Sequence, residues 1–183
     1  MQQKGIGLYL GRTWNMNKDI TELSTLFVGR QMVVPDVKCE LMRSEDVELI
    51  KAIGLPKRFS GWFHAPAVVR PCVDYVGKQF IYEGTSRNLG EGCSIIHSVV
   101  TDLVVERDSG FAVLVGLNGK TEFMNSSLYQ MLYCIGCFWM SSDSGFADVS
   151  EQLERCKRID AAAFADPQNG WNIDFKEAAE GMY

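Results

Sequence analysis

Cys134 and Cys137 form a C-x-x-C, the spacing of thiol–disulfide exchange and of half a structural zinc site. Zinc needs four ligands, and the chain has no second C-x-x-C or H-x-x-x-H to complete the set. An exchange motif follows a strand and opens a helix in a βαβ setting. This pair instead lies inside the apolar run Leu132 to Met140, which reads as buried helix cysteines. Cys93 and His97 could form a nucleophile and its base, but on a strand residues four apart lie roughly 13 Å from one another. His64 is the only other histidine, so imidazole acid–base or metal chemistry has few groups to draw on. Gly84 to Gly92 lacks the order of a phosphate-binding loop, and Gly5-Ile6-Gly7 fails G-x-G-x-x-G at its last position. No pair of carboxylates stands out as a glycosidase couple. The remaining polar group is Glu83, Arg87, Glu91, Asp102, Glu106, Arg107 and Asp108, gathered around the loops and ends of consecutive strands. It is either a solvated face or an acidic docking patch for a basic partner.

The elements that must position these residues follow from period and punctuation. Residues 1 to 16 carry Gly5, Gly7 and Gly11 without a period and read as an arm with a short strand. Asp19 to Phe27 reads as a helix, with Asp19 and Glu22 at capping-box spacing. Gln31 to Val34 is β-prone. Ser44 to Ile53 reads as a helix capped by Ser44, with Val47, Ile50 and Ile53 in one stripe and Gly54 and Pro56 ending it. Phe59 to Pro71 reads as packed loop. Lys78 to Glu83, Ser94 to Glu106 (one strand or two), Phe111 to Leu117 and Thr121 to Met124 alternate as strands. Asp108-Ser109-Gly110 and Asn118-Gly119 mark turns, and Gly84 to Gly92 reads as a loop. Asn125 or Ser126 then caps a helix reaching Met140, with Leu128, Met131, Leu132, Ile135 and Phe138 on one face. Ala147 to Phe164 reads as a helix. A last helix within Trp171 to Tyr183 is anchored by Trp171, Ile173 and Phe175. Helices, then strands, then helices predict α+β: one antiparallel or mixed sheet, a meander of four to six strands flanked by helices.

The 183 residues suit one domain, 1–183, with 1–40 as an N-terminal extension. Hydrophobic residues make up 46%, with 10 Phe, 4 Trp and 6 Tyr, which excludes a disordered chain. The net charge of −5, with no basic run longer than Lys57-Arg58 or Lys157-Arg158, argues against a direct nucleic-acid partner. The start of the chain lacks the pattern of a signal peptide, and no stretch of about 18 apolar residues occurs. A cytoplasmic protein away from membranes is therefore expected, with its six cysteines mostly reduced and no metal or cofactor.

The run Phe123-Met124-Asn125-Ser126-Ser127-Leu128 leads from the last strand into an apolar helix. It resembles the signature of SUKH-4 immunity proteins, in the SMI1/KNR4-like superfamily. Ala52-Ile53-Gly54-Leu55-Pro56 looks like that family's helix end, and Gly110 to Gly119 like its central hairpin. Asp166-Pro167 with Trp171 is similar to its closing segment. The resemblance covers residues 47 to 178, and Gly61 to Cys72 has no counterpart. It implies a non-catalytic protein that binds and neutralises a cognate toxin domain, such as a nuclease or deaminase, in bacterial competition. The alternatives are an adaptor, regulatory or effector-chaperone module, and a small enzyme using Cys93 with His97 or His64.

Overall fold

The computed structural model describes residues 16–59, 63–98, 100–116 and 118–183. The expected N-terminal arm with Gly5, Gly7 and Gly11 lies outside them, as do Gly61, Trp62 and Leu117. The described chain is mixed α+β. No helix in it is long and apolar enough to cross a membrane.

Helix α1 (Met16–Leu26) starts earlier than expected, so Asp19 lies in its first turn, where a carboxylate meets the helix's positive end, rather than at its cap. Short strands β1 (Met32–Val33) and β2 (Asp36–Val37) follow. Helix α2 (Ser44–Ile53) has the expected bounds but not the expected cap. Arg43, extended at φ −65° and ψ 148°, holds the N-cap position and makes no side-chain cap bond. Its guanidinium instead forks onto buried Asp46 at 2.8 and 3.2 Å. Gly54 ends the helix at φ 83°, its N–H donating to the Ile50 carbonyl at 2.8 Å. A Cβ there would lie 2.8 Å from the Val33 carbonyl oxygen, because β3 (Leu55–Pro56) pairs with β1 at this point. Pro56 thus joins a strand pair as well as stopping the helix.

The stretch expected as loop holds β4 (Arg58–Phe59), β5 (Phe63–His64) and β6 (Val68–Cys72). The meander is β9 (Gly92–His97), β10 (Thr101–Glu106), β11 (Ala112–Gly116) and β12 (Thr121–Asn125), each antiparallel to the next. On its other side β9 pairs with β5 and β6, and β6 carries β2 in parallel, so the sheet is mixed. Adjacent Ile95 and Ile96 are both buried, so β9 is covered on both faces.

Between β6 and β9 lies a separate ribbon, β7 (Gln79–Tyr82) with β8 (Thr85–Asn88). Lys78 to Glu83 was expected in the meander and Gly84 to Gly92 as loop; both expectations are corrected. Glu83 and Gly84 sit at φ 48° and 73°, two consecutive left-handed residues that turn the ribbon. Glu-Gly is a weak signal for such a turn compared with Asn-Gly, which is why β8 is hard to see in the sequence. Phe80 and Tyr82 face inward onto Phe111 and Phe123, with Tyr82 stacked 4.6 Å from Phe111.

Helix α3 (Leu128–Asp143) buries its expected stripe and also Tyr129, Tyr133, Cys134, Gly136 and Cys137. Helices α1 and α4 (Val149–Ile159) pack on it. Gly136 permits the α1 crossing: a Cβ would lie 2.6 Å from that of Leu26. The expected helix Ala147 to Phe164 breaks at Asp160 into α4 and a 3-10 turn, Ala161–Phe164. Helix α5 (Gly170–Ala179) is capped by Asn169 and anchored by Trp171, Phe175 and Ala178, whereas Ile173, expected as an anchor, is exposed.

Glu122 on β12 meets the start of α5, accepting from the Gly170 N–H at 2.6 Å. Burial pushes its carboxyl above the ordinary range, and Asp166 and Asp174 add to the rise against the pull of that N–H. A raised folded-state pKa means that the folded chain holds this proton more firmly than the unfolded chain. The contribution to stability is complete below the ordinary carboxylate range and is lost as pH rises through the folded value. Glu122→Gln is therefore expected to flatten the fall in stability between acidic and neutral pH, measured by urea unfolding at several pH values. An unchanged pH profile would contradict this.

Candidate functional site

The signature segment is an internal brace. Phe123 completes the aromatic cluster under the ribbon, 4.8 Å from Tyr82 and 5.3 Å from Phe111. Asn125 and Ser126, expected as caps, do not cap α3. Asn125 is fully buried; its amide donates to Asp160 at 3.0 Å and its oxygen accepts from the Trp171 indole at 2.9 Å. Ser126 gives Asp160 both its backbone N–H and its hydroxyl, each at 2.8 Å. The cap is Ser127, whose hydroxyl accepts from the Gln130 N–H at 3.2 Å, and Leu128 follows buried in the core. Ser127→Ala is expected to cost about 0.5–2 kcal/mol in urea unfolding, and no change would contradict this cap. With Gly54, Leu55 and Pro56 closing α2 onto β1, every residue of these motifs serves the fold.

Among the described residues Cys93 does not form the expected nucleophile–base pair, although His64 on β5 and His97 on β9 stand directly opposite each other. Cys93, a candidate nucleophile, is joined in a disulfide to Cys39 and is fully buried. A disulfide sulfur has no thiolate to attack with. The other four cysteines are free, so the expectation of mostly reduced thiols is corrected only for this pair. His97 lies within reach of Ser94 and Asp102, at 3.2 and 2.6 Å, but both meet the same ring nitrogen, Nδ1. A relay needs the hydroxyl on one nitrogen and the carboxylate on the other. Asp102 also accepts from the Tyr75 hydroxyl at 3.0 Å, and burial together with this carboxylate pushes that hydroxyl up to about 12. Burial, with Asp102 and Asp74 nearby, likewise pushes the Cys72 thiol up to about 11, so it is protonated at neutral pH. Cys134, Cys137 and Cys156 meet between α3 and α4. Sulfur–sulfur hydrogen bonding and burial raise Cys137 and Cys156 far above the ordinary thiol range. The C-x-x-C is core packing. Among the described residues no group of three or more His, Cys, Asp or Glu is placed to hold a metal ion.

The charged cluster separates into four groups. Glu106 is buried, accepting from the Gly90 N–H at 2.5 Å and from the Ser109 hydroxyl, and so is not available for docking. Asp102 stands at the opposite end of β10, in the His97 group. Glu91 and Asp108 share Arg107, each at 3.1 Å. Glu83 and Arg87 belong to the ribbon, with the Arg87 guanidinium 4.7 Å from the Tyr82 ring centroid and 5.6 Å from that of Phe111.

The ribbon is exposed along its outer strand. All four residues of β8 are exposed, and among the described residues β8 pairs with β7 alone. Within residues 73–81, Val73, Val76 and Ile81 are each at least half exposed. The sequence shows Ile81 as an ordinary strand residue, because without β8 the outward face of β7 cannot be told from the inward one. Compared with protein-family profiles, with curated proteins and with solved structures, the chain matches none of them.

Proposed function

We propose that the chain is a non-catalytic immunity protein with an SMI1/KNR4-like fold, working in the cytoplasm, that binds and neutralises a cognate protein toxin. The observation that supports this most is the β7–β8 ribbon. Among the described residues its outer strand has no neighbour on its far side, and an extended segment of a partner could add to such a sheet edge. Val76 and Ile81 offer apolar contact beside it, and Glu83 gives a carboxylate at the turn. Glu91 and Asp108, with the net charge of −5, suit a basic, nucleic-acid-directed toxin by steering encounter. The four residues of the F-x-N-S-S-L motif beyond Phe123 are taken up by helix α3 and Asp160, which leaves the ribbon as the exposed edge open to a partner.

Ile81→Asp tests this. Because Ile81 is exposed, the fold is expected to lose no more than about 0.5 kcal/mol. Affinity for the toxin is expected to fall by about 30-fold or more, the loss of a central contact residue, measured by calorimetry on the purified pair. Wild-type affinity in this variant would place the docking surface elsewhere.

A further inference from the structure

We infer that the cleft where the end of α1 and β1 meets β3–β4 and the last turn of α3 is a binding site for a small phosphoryl anion. The cleft has a volume of about 300 Å³ and is lined by Gly29, Arg30, Gln31, Lys57, Arg58 and Trp139. It lies on other elements than the ribbon and does not depend on the toxin-binding proposal.

Its walls are fixed. The β1–β3 pair continues outward through the Lys57 N–H, which donates to the Gln31 carbonyl at 2.9 Å, so residues 30–31 and 57–58 stand side by side. Arg30 is oriented in advance. It donates to the Trp139 carbonyl at 2.9 Å, lies 5.2 Å from the Trp139 ring centroid and pairs with Asp143. Trp139 is wedged between the edges of Phe27 and Phe59, at 5.7 and 6.2 Å. Lys57 and Arg58 are exposed, and neither makes an ion pair among the described residues.

Three cationic residues therefore line one cleft in a chain of net charge −5, and among the described residues the carboxylate that pairs with one of them, Asp143, is itself 66% exposed. Like charges around a concave surface repel one another and focus a positive potential into it, which an anion relieves. Two guanidinium forks and an ammonium suit the several oxygens of a tetrahedral phosphoryl group. A volume of about 300 Å³ is at the lower end of small-molecule sites, enough for a phosphate and part of what it carries. The lip is open at Gly29, where a Cβ would have nothing within 4 Å. The same chemistry is offered by inorganic phosphate and by the phosphate of a nucleoside monophosphate.

The test titrates the full chain with inorganic phosphate and, separately, with adenosine 5′-monophosphate in chloride buffer at low ionic strength. Calorimetry measures affinity, and amide chemical shifts of Gly29 to Gln31 and of Lys57 and Arg58 locate it. The expected result is saturable binding with shifts at those amides and an affinity that falls as salt is added. The double variant Lys57→Gln/Arg58→Gln, altered only at exposed side chains, is expected to bind about tenfold more weakly with an unchanged circular dichroism spectrum. Equal affinities assign the site to free phosphate; tighter binding of the nucleotide assigns it to an organic phosphate. No saturation by about 10 mM, shifts confined to other residues, or a double variant that binds like the wild type would overturn the site.

Discussion

Replacing Asp160 with alanine is expected to remove about 3–5 kcal/mol of stability. Asp160 is buried where α4 breaks into the 3-10 turn, and it accepts from the Asn125 amide, the Ser126 N–H and the Ser126 hydroxyl at 3.0, 2.8 and 2.8 Å. Through Asn125 the network reaches the Trp171 indole, so one carboxylate ties β12, the start of α3, the end of α4 and α5 together. Alanine would leave the Asn125 amide and the Ser126 N–H without these acceptors, and an unmet buried donor costs about 1–3 kcal/mol. Asp160→Asn keeps the volume and one acceptor but turns an N–H₂ toward a donor, so it should fall between alanine and the wild type. Urea unfolding of the three proteins measures this. A loss below about 1 kcal/mol in the alanine variant would show that the brace carries little of the fold's stability.

Loss of the Cys39–Cys93 link is expected to cost a similar amount. The bond joins the turn before α2 to the middle strand of the sheet across a sequence separation of 54, with Cα atoms 6.5 Å apart. Closing a loop of that length restricts the unfolded chain by about 4 kcal/mol on the chain-entropy account. Cys39→Ala/Cys93→Ala should melt well below the wild type, and the wild type unfolded and refolded in strong reductant should match the variant. Equal melting of variant and oxidised wild type would contradict the link. Disulfides are uncommon in a reducing cytosol, and both cysteines here are buried, which limits access of a soluble reductant. Alkylation of denatured extracts would find four reactive thiols where the link is closed in the cell and six where it is open.

Much of the skeleton was legible in the chain. The limits of α2 follow from the Val47–Ile50–Ile53 stripe and the Gly54 stop, and the meander from alternation punctuated by Asp108-Ser109-Gly110 and Asn118-Gly119. What failed to show was non-local. Ser126 and Ser127 are equally good caps by type, and only the position of Asp160, 34 residues beyond Ser126, decides between them. The burial of α3 on almost every side makes its Cys, Met and aromatic content ordinary, but that depends on which helices surround it. Cys39 and Cys93 carry no local mark of pairing. Whether Ser94 to Glu106 forms one strand or two is open in the sequence, so the facing of His97 and Asp102, with Ser94 on the same Nδ1, needed coordinates. Arg30 and the pair Lys57-Arg58 are brought together by β1–β3 pairing across a separation that no local pattern spans.

The proposal of an immunity protein rests on the β7–β8 ribbon as its docking edge, and survival is the direct measure of both. The products of the genes neighbouring this protein's are expressed one at a time in cells with the wild-type protein, with Ile81→Asp, or with neither, and one that kills cells holding neither is the toxin under test. Growth restored by the wild type and lost with Ile81→Asp, at equal protein levels, is the predicted result. Death in the presence of abundant wild-type protein would contradict the immunity function, and full rescue by Ile81→Asp would contradict the ribbon.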